Sequence, residues 1–209
     1  YPWSGSGFGT KYANPSTLPT ASNYANGLAF SPKGSAIALG HYGGPNITAY
    51  PWSGSGFGTK YANPSTLPNG TGLDVAFSSV GSPQTAYNEY VAVSHSSSPY
   101  ITAYPWYSSG FGTKFADPST LPADTGWSAA FSPDGSAIAV AHSSSPYITA
   151  YPWSGSGFGT KYANPSTLPN NTGREPRFSP DGSALAVAYD QTPRVSVYPW
   201  SGSGFGTKY

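Results

Sequence analysis

Short apolar runs recur along the chain, each cut off by Ser, Gly, Pro or Asn, and no segment has the three-to-four spacing of an amphipathic helix. The clearest stretch runs from Trp127 to Pro169. A first strand is expected over Trp127 to Ser132, ending at Ser132-Pro133-Asp134-Gly135, where Pro presets φ and Gly closes a tight turn. The chain then reverses into Ala137 to His142, with Ile138 and Val140 on one face. After a Ser/Pro turn over Ser143 to Pro146, a third strand covers Tyr147 to Tyr151 and stops at Pro152, which has no N–H for a ladder. Trp153 to Gly157 forms a hairpin loop, and Phe158 to Ala163 is the fourth strand.

This four-strand unit repeats. Tyr1 to Pro19 returns almost unchanged at Tyr50, Tyr104 and Tyr151, and its first twelve residues return at Tyr198, at spacings of 49, 54, 47 and 47. The repeats are 1-49, 50-103, 104-150 and 151-197, with a partial copy at 198-209, and together they are read as one domain, 1-209. A period near 50 residues built from antiparallel strands predicts an all-β fold, a β-propeller of four-stranded antiparallel blades with four repeats per chain.

The runs AAFSPDGSAIAVAH (129-142) and YITAYPW (147-153) resemble blades of WD40 and related YVTN-type propellers. Tyr50, Tyr104, Tyr151 and Tyr198 fall where a WD40 blade has its Trp. Two departures limit the resemblance. Pro51, Pro105, Pro152 and Pro199 replace the Asp of the WD dipeptide, and the Gly-His pair before the inner strand is missing, so that family's His/Ser/Asp/aromatic network does not carry over.

With strands named A to D from the centre outward, the chain holds four A-B-C-D sets and one extra D strand, expected at Phe8 to Ala13. Phe205 to Tyr209 is an equivalent D strand competing for the same edge. Two closures follow: a four-bladed monomer, or a head-to-tail homodimer with eight blades. The Ala-rich blade faces (129, 130, 137, 139, 141, 150) permit close approach and narrow wedges, which favours the dimer.

Charge narrows the function. Nine basic against eight acidic residues, with only 8% of the chain charged, give no concentrated cationic surface for nucleic acid. Absence of Cys excludes disulfides and thiolate chemistry, and no apolar run is long enough for a membrane span. The start at Tyr1 without Met suggests a piece of a longer, recently amplified repeat protein, with an extracellular or virion-associated setting expected. The carboxylates are scattered and Asp134 and Asp181 sit in turns, so no enzyme and no catalytic, cofactor-binding or metal-ligating set is expected; a propeller hydrolase is the remote alternative.

The copies differ mainly in the D-A loops (Thr20 to Asn26, Asn69 to Gly72, Ala123 to Gly126, Asn170 to Gly173) and in the B-C loops, which a propeller places on one face. A candidate ligand face follows: His41, Tyr42, His95, Tyr100, His142, Tyr147, Tyr189, Asp190 and Arg194. Its Tyr, Ser, Asn and Gly suit protein or carbohydrate. Loop drift after duplication explains the same differences without a ligand, and Tyr100 and Tyr147 also read as simple starts of strand C. In the fourth unit Arg174-Glu175-Pro176-Arg177 interrupts the A strand, either as an anion site or as an internal Arg-Glu pair, and Ser79 to Glu89 is an insertion fit for a partner contact or a harmless loop. The function expected is a binding or scaffold propeller, with no selected ligand of its own or with one shallow lectin-like site per blade.

Overall fold

A computed structural model describes residues 1–19, 24–78 and 89–209. Its regular elements are all strands. A small hairpin, β1 (Trp3–Ser4) and β2 (Gly7–Phe8), precedes four sheets of four antiparallel strands. Blade 1 comprises β3 (Ala25–Phe30), β4 (Ala36–His41), β5 (Ile47–Ser53) and β6 (Gly56–Phe57). Blade 2 comprises β7 (Gly72–Phe77), β8 (Glu89–His95), β9 (Ile101–Tyr107) and β10 (Gly110–Phe111). Blade 3 comprises β11 (Gly126–Phe131), β12 (Ala137–His142), β13 (Ile148–Ser154) and β14 (Gly157–Phe158). Blade 4 comprises β15 (Gly173–Phe178), β16 (Ala184–Tyr189), β17 (Val195–Ser201) and β18 (Gly204–Phe205).

The turn chemistry works locally as its residues dictate. The Gly135 amide donates to the Ser132 carbonyl at 2.9 Å, Gly135 sits at φ 69, and Asp134 accepts from the Ser132 hydroxyl at 2.6 Å and the Ser136 amide at 3.0 Å. Proline does not end strand C, contrary to expectation. Pro152 pairs with Ala137 inside β13, and its carbonyl accepts from the Gly159 amide at 2.8 Å on the D side. Its absent N–H therefore also faces strand D and leaves the B-C ladder intact. The same missing donor shortens strand D: the ladder holds only Gly157 and Phe158 instead of running to Ala163. Beyond it, one further backbone bond, Tyr162 amide to Ala150 carbonyl at 3.0 Å, keeps the segment against strand C.

The core lies between blades, where a small-residue trailing face meets a large-residue leading face. Ala36, Ala38, Ile47 and Ala49 of blade 1 pack on Val75, Val91, Tyr104 and Trp106 of blade 2. Ala137, Ala139, Ile148 and Ala150 of blade 3 meet Leu185, Val187, Tyr198 and Trp200 in the same way. Each strand-C Trp is boxed edge-on by aromatics; around Trp153 the rings of Phe115, Phe131 and Phe158 stand at 5.2, 5.2 and 4.9 Å. Phe115 belongs to the preceding unit, so its D segment reaches over the next blade. A hydroxyl latch completes the joint: Tyr104 donates to the Thr66 carbonyl at 2.8 Å, Tyr151 to Thr120 at 2.7 Å and Tyr198 to Thr167 at 2.8 Å.

The four blades follow one another as an arc. Strand β3 packs on β7, β7 on β11 and β11 on β15; among the described residues no comparable packing joins β15 to β3.

Candidate functional site

The B-C and D-A loops do share a face, stitched by their own polar groups. Thr71 and Asn69 bond Ser96 and Ser98 within blade 2, and the Asn46 amide side chain reaches from blade 1 to the Pro68 carbonyl at 3.0 Å. Residues Asn46, Tyr100, Tyr147 and Arg194 hold equivalent B-C positions with left-handed φ of 66, 69, 68 and 73°. The carbonyls of the first three press against Gly72, Gly126 and Gly173 of the next blade, so close that a Cβ there would stand 2.1 to 2.3 Å from the oxygen.

The histidines of the expected ligand face point inward. His41, His95 and His142 are fully buried, and each Nε2 meets a strand-C threonine, Thr48 at 3.0 Å, Thr102 at 2.9 Å and Thr149 at 2.9 Å. Burial holds His95 and His142 down to about 4, so they are neutral at physiological pH and serve to tie strand B to strand C. In blade 4 Tyr189 takes this place, with the Ser196 hydroxyl donating to its oxygen at 3.2 Å. Tyr42 is exposed beside Tyr24, at 6.0 Å between rings, while Tyr100 and Tyr147 are half-buried.

Blade 4 brings two of the expected residues, Asp190 and Arg194, together. Arg174 lies over the Trp127 ring at 4.3 Å and grips Asp190 through Nε at 2.8 Å and Nη2 at 2.6 Å. Arg194 donates to the Asp190 carbonyl at 3.1 Å, and Arg177 pairs with Glu175 at 2.5 Å. The charged A strand thus forms an Arg-Glu pair, as one of its two readings had it, plus an Arg-Asp clamp at the loop face.

Two kinds of hollow lie away from the loop face, and Arg177 lines the first, in line with the alternative that places charges of its A strand along the channel. Strands β3, β7, β11 and β15 line a central hollow of about 310 Å³ that holds Asp74 and Arg177. Burial pushes the Asp74 carboxyl up against the opposing bond from the Ser128 hydroxyl at 2.6 Å, and Gly27 gives it room. On the face opposite the loops, grooves run between the A-B turn of one blade and the C-D hairpin of the next. The one between blades 1 and 2, about 230 Å³, is lined by Lys33, Ser35, Tyr61, Glu89, Trp106 and Tyr107, and Glu89 is buried in it. A second, between blades 3 and 4, is lined by Asp134, Ser136, Asp181 and Trp200. Residues 79–88 of the insertion, and 20–23 of the first D-A loop, lie outside the described residues. Lys33, Glu89 and Tyr107 are positions at which the copies differ, and Glu89 closes the insertion that the sequence marks as fit for a partner contact.

Among the described residues, no three His, Asp or Glu stand together as a metal set, and no helix is long and apolar enough to cross a membrane. No family model and no curated protein matches the sequence. Among solved structures the chain is similar to Kuenenia stuttgartiensis hydrazine synthase, with TM-score 0.58 and 17% identity over 92% of this chain and 49% of that one. It is also similar to a functionally unknown protein from Desulfotomaculum acetoxidans, with TM-score 0.62 and 18% identity over 88% of this chain and 55% of that one. At such identities the likeness concerns the fold alone, and the chain spans about half the length of each. The class defined is a repeat protein of propeller-like, four-stranded antiparallel blades.

Proposed function

We propose that the chain is a non-enzymatic, WD40-like propeller module that serves as a binding or scaffold unit and joins a second copy head to tail into an eight-bladed ring. One observation carries this: the two end faces of the arc are copies of faces that mate three times within it. On blade 1, Leu28 is 61% exposed where its counterpart Val75 in blade 2 is 4% exposed. On blade 4, Val195 is 49% exposed where Ile148 in blade 3 is fully buried. A leading face and a trailing face of known complementarity make a heterologous contact that closes when the rotation allows it.

The non-enzymatic reading is supported by the commitments of the carboxylates. Asp134 and Asp181 bond the serines of their turns, Asp117 holds Lys114, Asp124 caps Thr125, Asp190 and Glu175 pair with arginines, and Asp74 holds Ser128. Asp134 and Asp181 flank the groove between blades 3 and 4, whose lining adds no His, Lys or Glu to them, and Glu89 is the one carboxylate in the lining of the groove between blades 1 and 2. Light scattering behind size exclusion tests the assembly: twice the 21.7 kDa of one chain is expected. A mass of one chain at every concentration would overturn the head-to-tail reading.

A second reading, carbohydrate binding, is favoured by the groove between blades 1 and 2, where Tyr61 and Tyr107 stand beside Ser35, Lys33 and Glu89. Aromatic area next to hydrogen-bonding side chains suits a saccharide. A glycan array with the wild-type chain and the Glu89→Gln variant checks it, the expected result being signal that the variant loses.

A further inference from the structure

Residues 1–12, YPWSGSGFGTKY, are identical to residues 198–209. We infer that the first dodecamer occupies a place on blade 1 that the second dodecamer of another copy takes over, an exchange that rests on the head-to-tail reading above.

The place is defined by its internal counterparts. In the units that begin at Tyr50, Tyr104 and Tyr151, the twelfth residue (Tyr61, Phe115, Tyr162) lays its ring edge-on to the strand-C Trp of the next blade, at 5.2, 5.2 and 5.3 Å. Its Cβ lies 3.2 Å from where a Cβ on the hairpin glycine of that blade (Gly110, Gly157, Gly204) would stand. Tyr12 makes the same contact on blade 1, 5.1 Å from Trp52 and with its Cβ 3.3 Å from the Cβ position of Gly56. Tyr209, its twin, is 80% exposed.

The two dodecamers differ in what stands behind them. The segment 198–209 belongs to a full blade: Tyr198 is buried, and the Tyr209 amide donates to the Val197 carbonyl at 3.1 Å. It arrives with the trailing face of β16 and β17, where Ala186 and Val197 are only half-buried. The segment 1–12 carries the β1-β2 hairpin, on which Trp3 is 72% exposed while its equivalent Trp106 is 4% exposed. Replacing the hairpin by the blade reproduces every contact of Tyr12 and adds cover for Leu28 and Phe30 of β3. Residues 13–19 stay in position, because Tyr50 still needs the Thr17 carbonyl, which accepts its hydroxyl at 2.8 Å. Tyr209 of one copy then abuts Ala13 of the other, as Tyr61 is followed by Ala62 within the chain. The first dodecamer is thus a tethered competitor that raises the concentration at which two chains join.

Because the chain has no Cys, engineered pairs report this without background. Under mild oxidation the Gly56→Cys/Tyr209→Cys variant is expected to give a covalent two-chain species on a non-reducing gel. The Tyr12→Cys/Gly56→Cys variant is expected to link within one chain and lose the dimer, with Tyr61→Cys/Gly110→Cys as the control that the geometry supports a disulfide. Independently of any cysteine, a chain lacking residues 1–12 is expected to dimerise at a concentration lower by about tenfold or more. A chain of dimer mass whose 56/209 pair never crosslinks, or whose affinity is unchanged by removing 1–12, overturns the exchange and leaves the head-to-tail dimer standing. A single-chain mass for both the wild type and the shortened chain overturns both.

Discussion

The three B-strand histidines set a pH window for stability. Burial lowers His95 and His142 from 6.5 to about 4 and shifts His41 the same way. The unfolded chain therefore binds more protons than the folded one between these values. Their contribution is complete above pH 6.5 and is lost as the pH falls toward 4, on the order of 3 kcal/mol for each of the two strongly shifted groups. Asp181 acts in a separate window: hydrogen bonds from Ser179 and Ser183 hold it down to about 2, so its share is lost only below the ordinary carboxylate range. Urea unfolding between pH 4 and 7 should show the histidines raising stability with pH against a smaller opposing share from Asp74, whose carboxyl burial pushes up, and His142→Gln should remove about a third to a half of the histidine share. An unchanged slope in this variant means that the imidazole titrates freely in the folded chain. The position of these histidines at the end of strand B was legible in the sequence; their direction was not. A strand buried on both faces carries no alternation to tell which side chains meet a neighbour and which meet solvent.

Strands B and the Ser-Pro-Asp-Gly turns could be read residue for residue, because proline, aspartate and glycine act there through their own backbone. Strands C and D could not, since whether Pro152 breaks a ladder depends on which side its missing donor faces, a matter of partners and not of the run itself. The joints between blades were equally hidden: nothing in Gly126 announces that the Tyr100 carbonyl of the preceding blade will stand 2.3 Å from any Cβ placed there. Gly126→Ala forces backbone against backbone, with no flexible side chain to yield. A loss of about 2–3 kcal/mol is expected from denaturant melts. The control is Gly54→Ala, in the C-D hairpin loop of blade 1, which has open space around it and should stay within about 0.5 kcal/mol of the parent. If both substitutions cost the same, the close approach is not what fixes that glycine.

At the scale of the molecule the period announces blades, but the number that close a ring depends on wedge angles summed over all of them, to which no single unit testifies. The end faces offer a chemical test of it. Ala186 on β16 occupies the place that Ala139 holds on β12, and Ala139 is fully buried against blade 4 while Ala186 is only half-covered. A carboxylate at 139 would be trapped inside the chain, whereas one at 186 would meet water in a single chain and be buried only if another copy docks there. Ala186→Glu should therefore leave the melting curve of the separated chain within a few degrees of the parent and bring the scattering mass down from two chains to one. Ala139→Glu should instead lose the cooperative melt altogether. A dimer that survives Ala186→Glu would mean that copies meet through some other surface, and the loop face around Arg174, Trp127 and Asp190 would be the next to substitute.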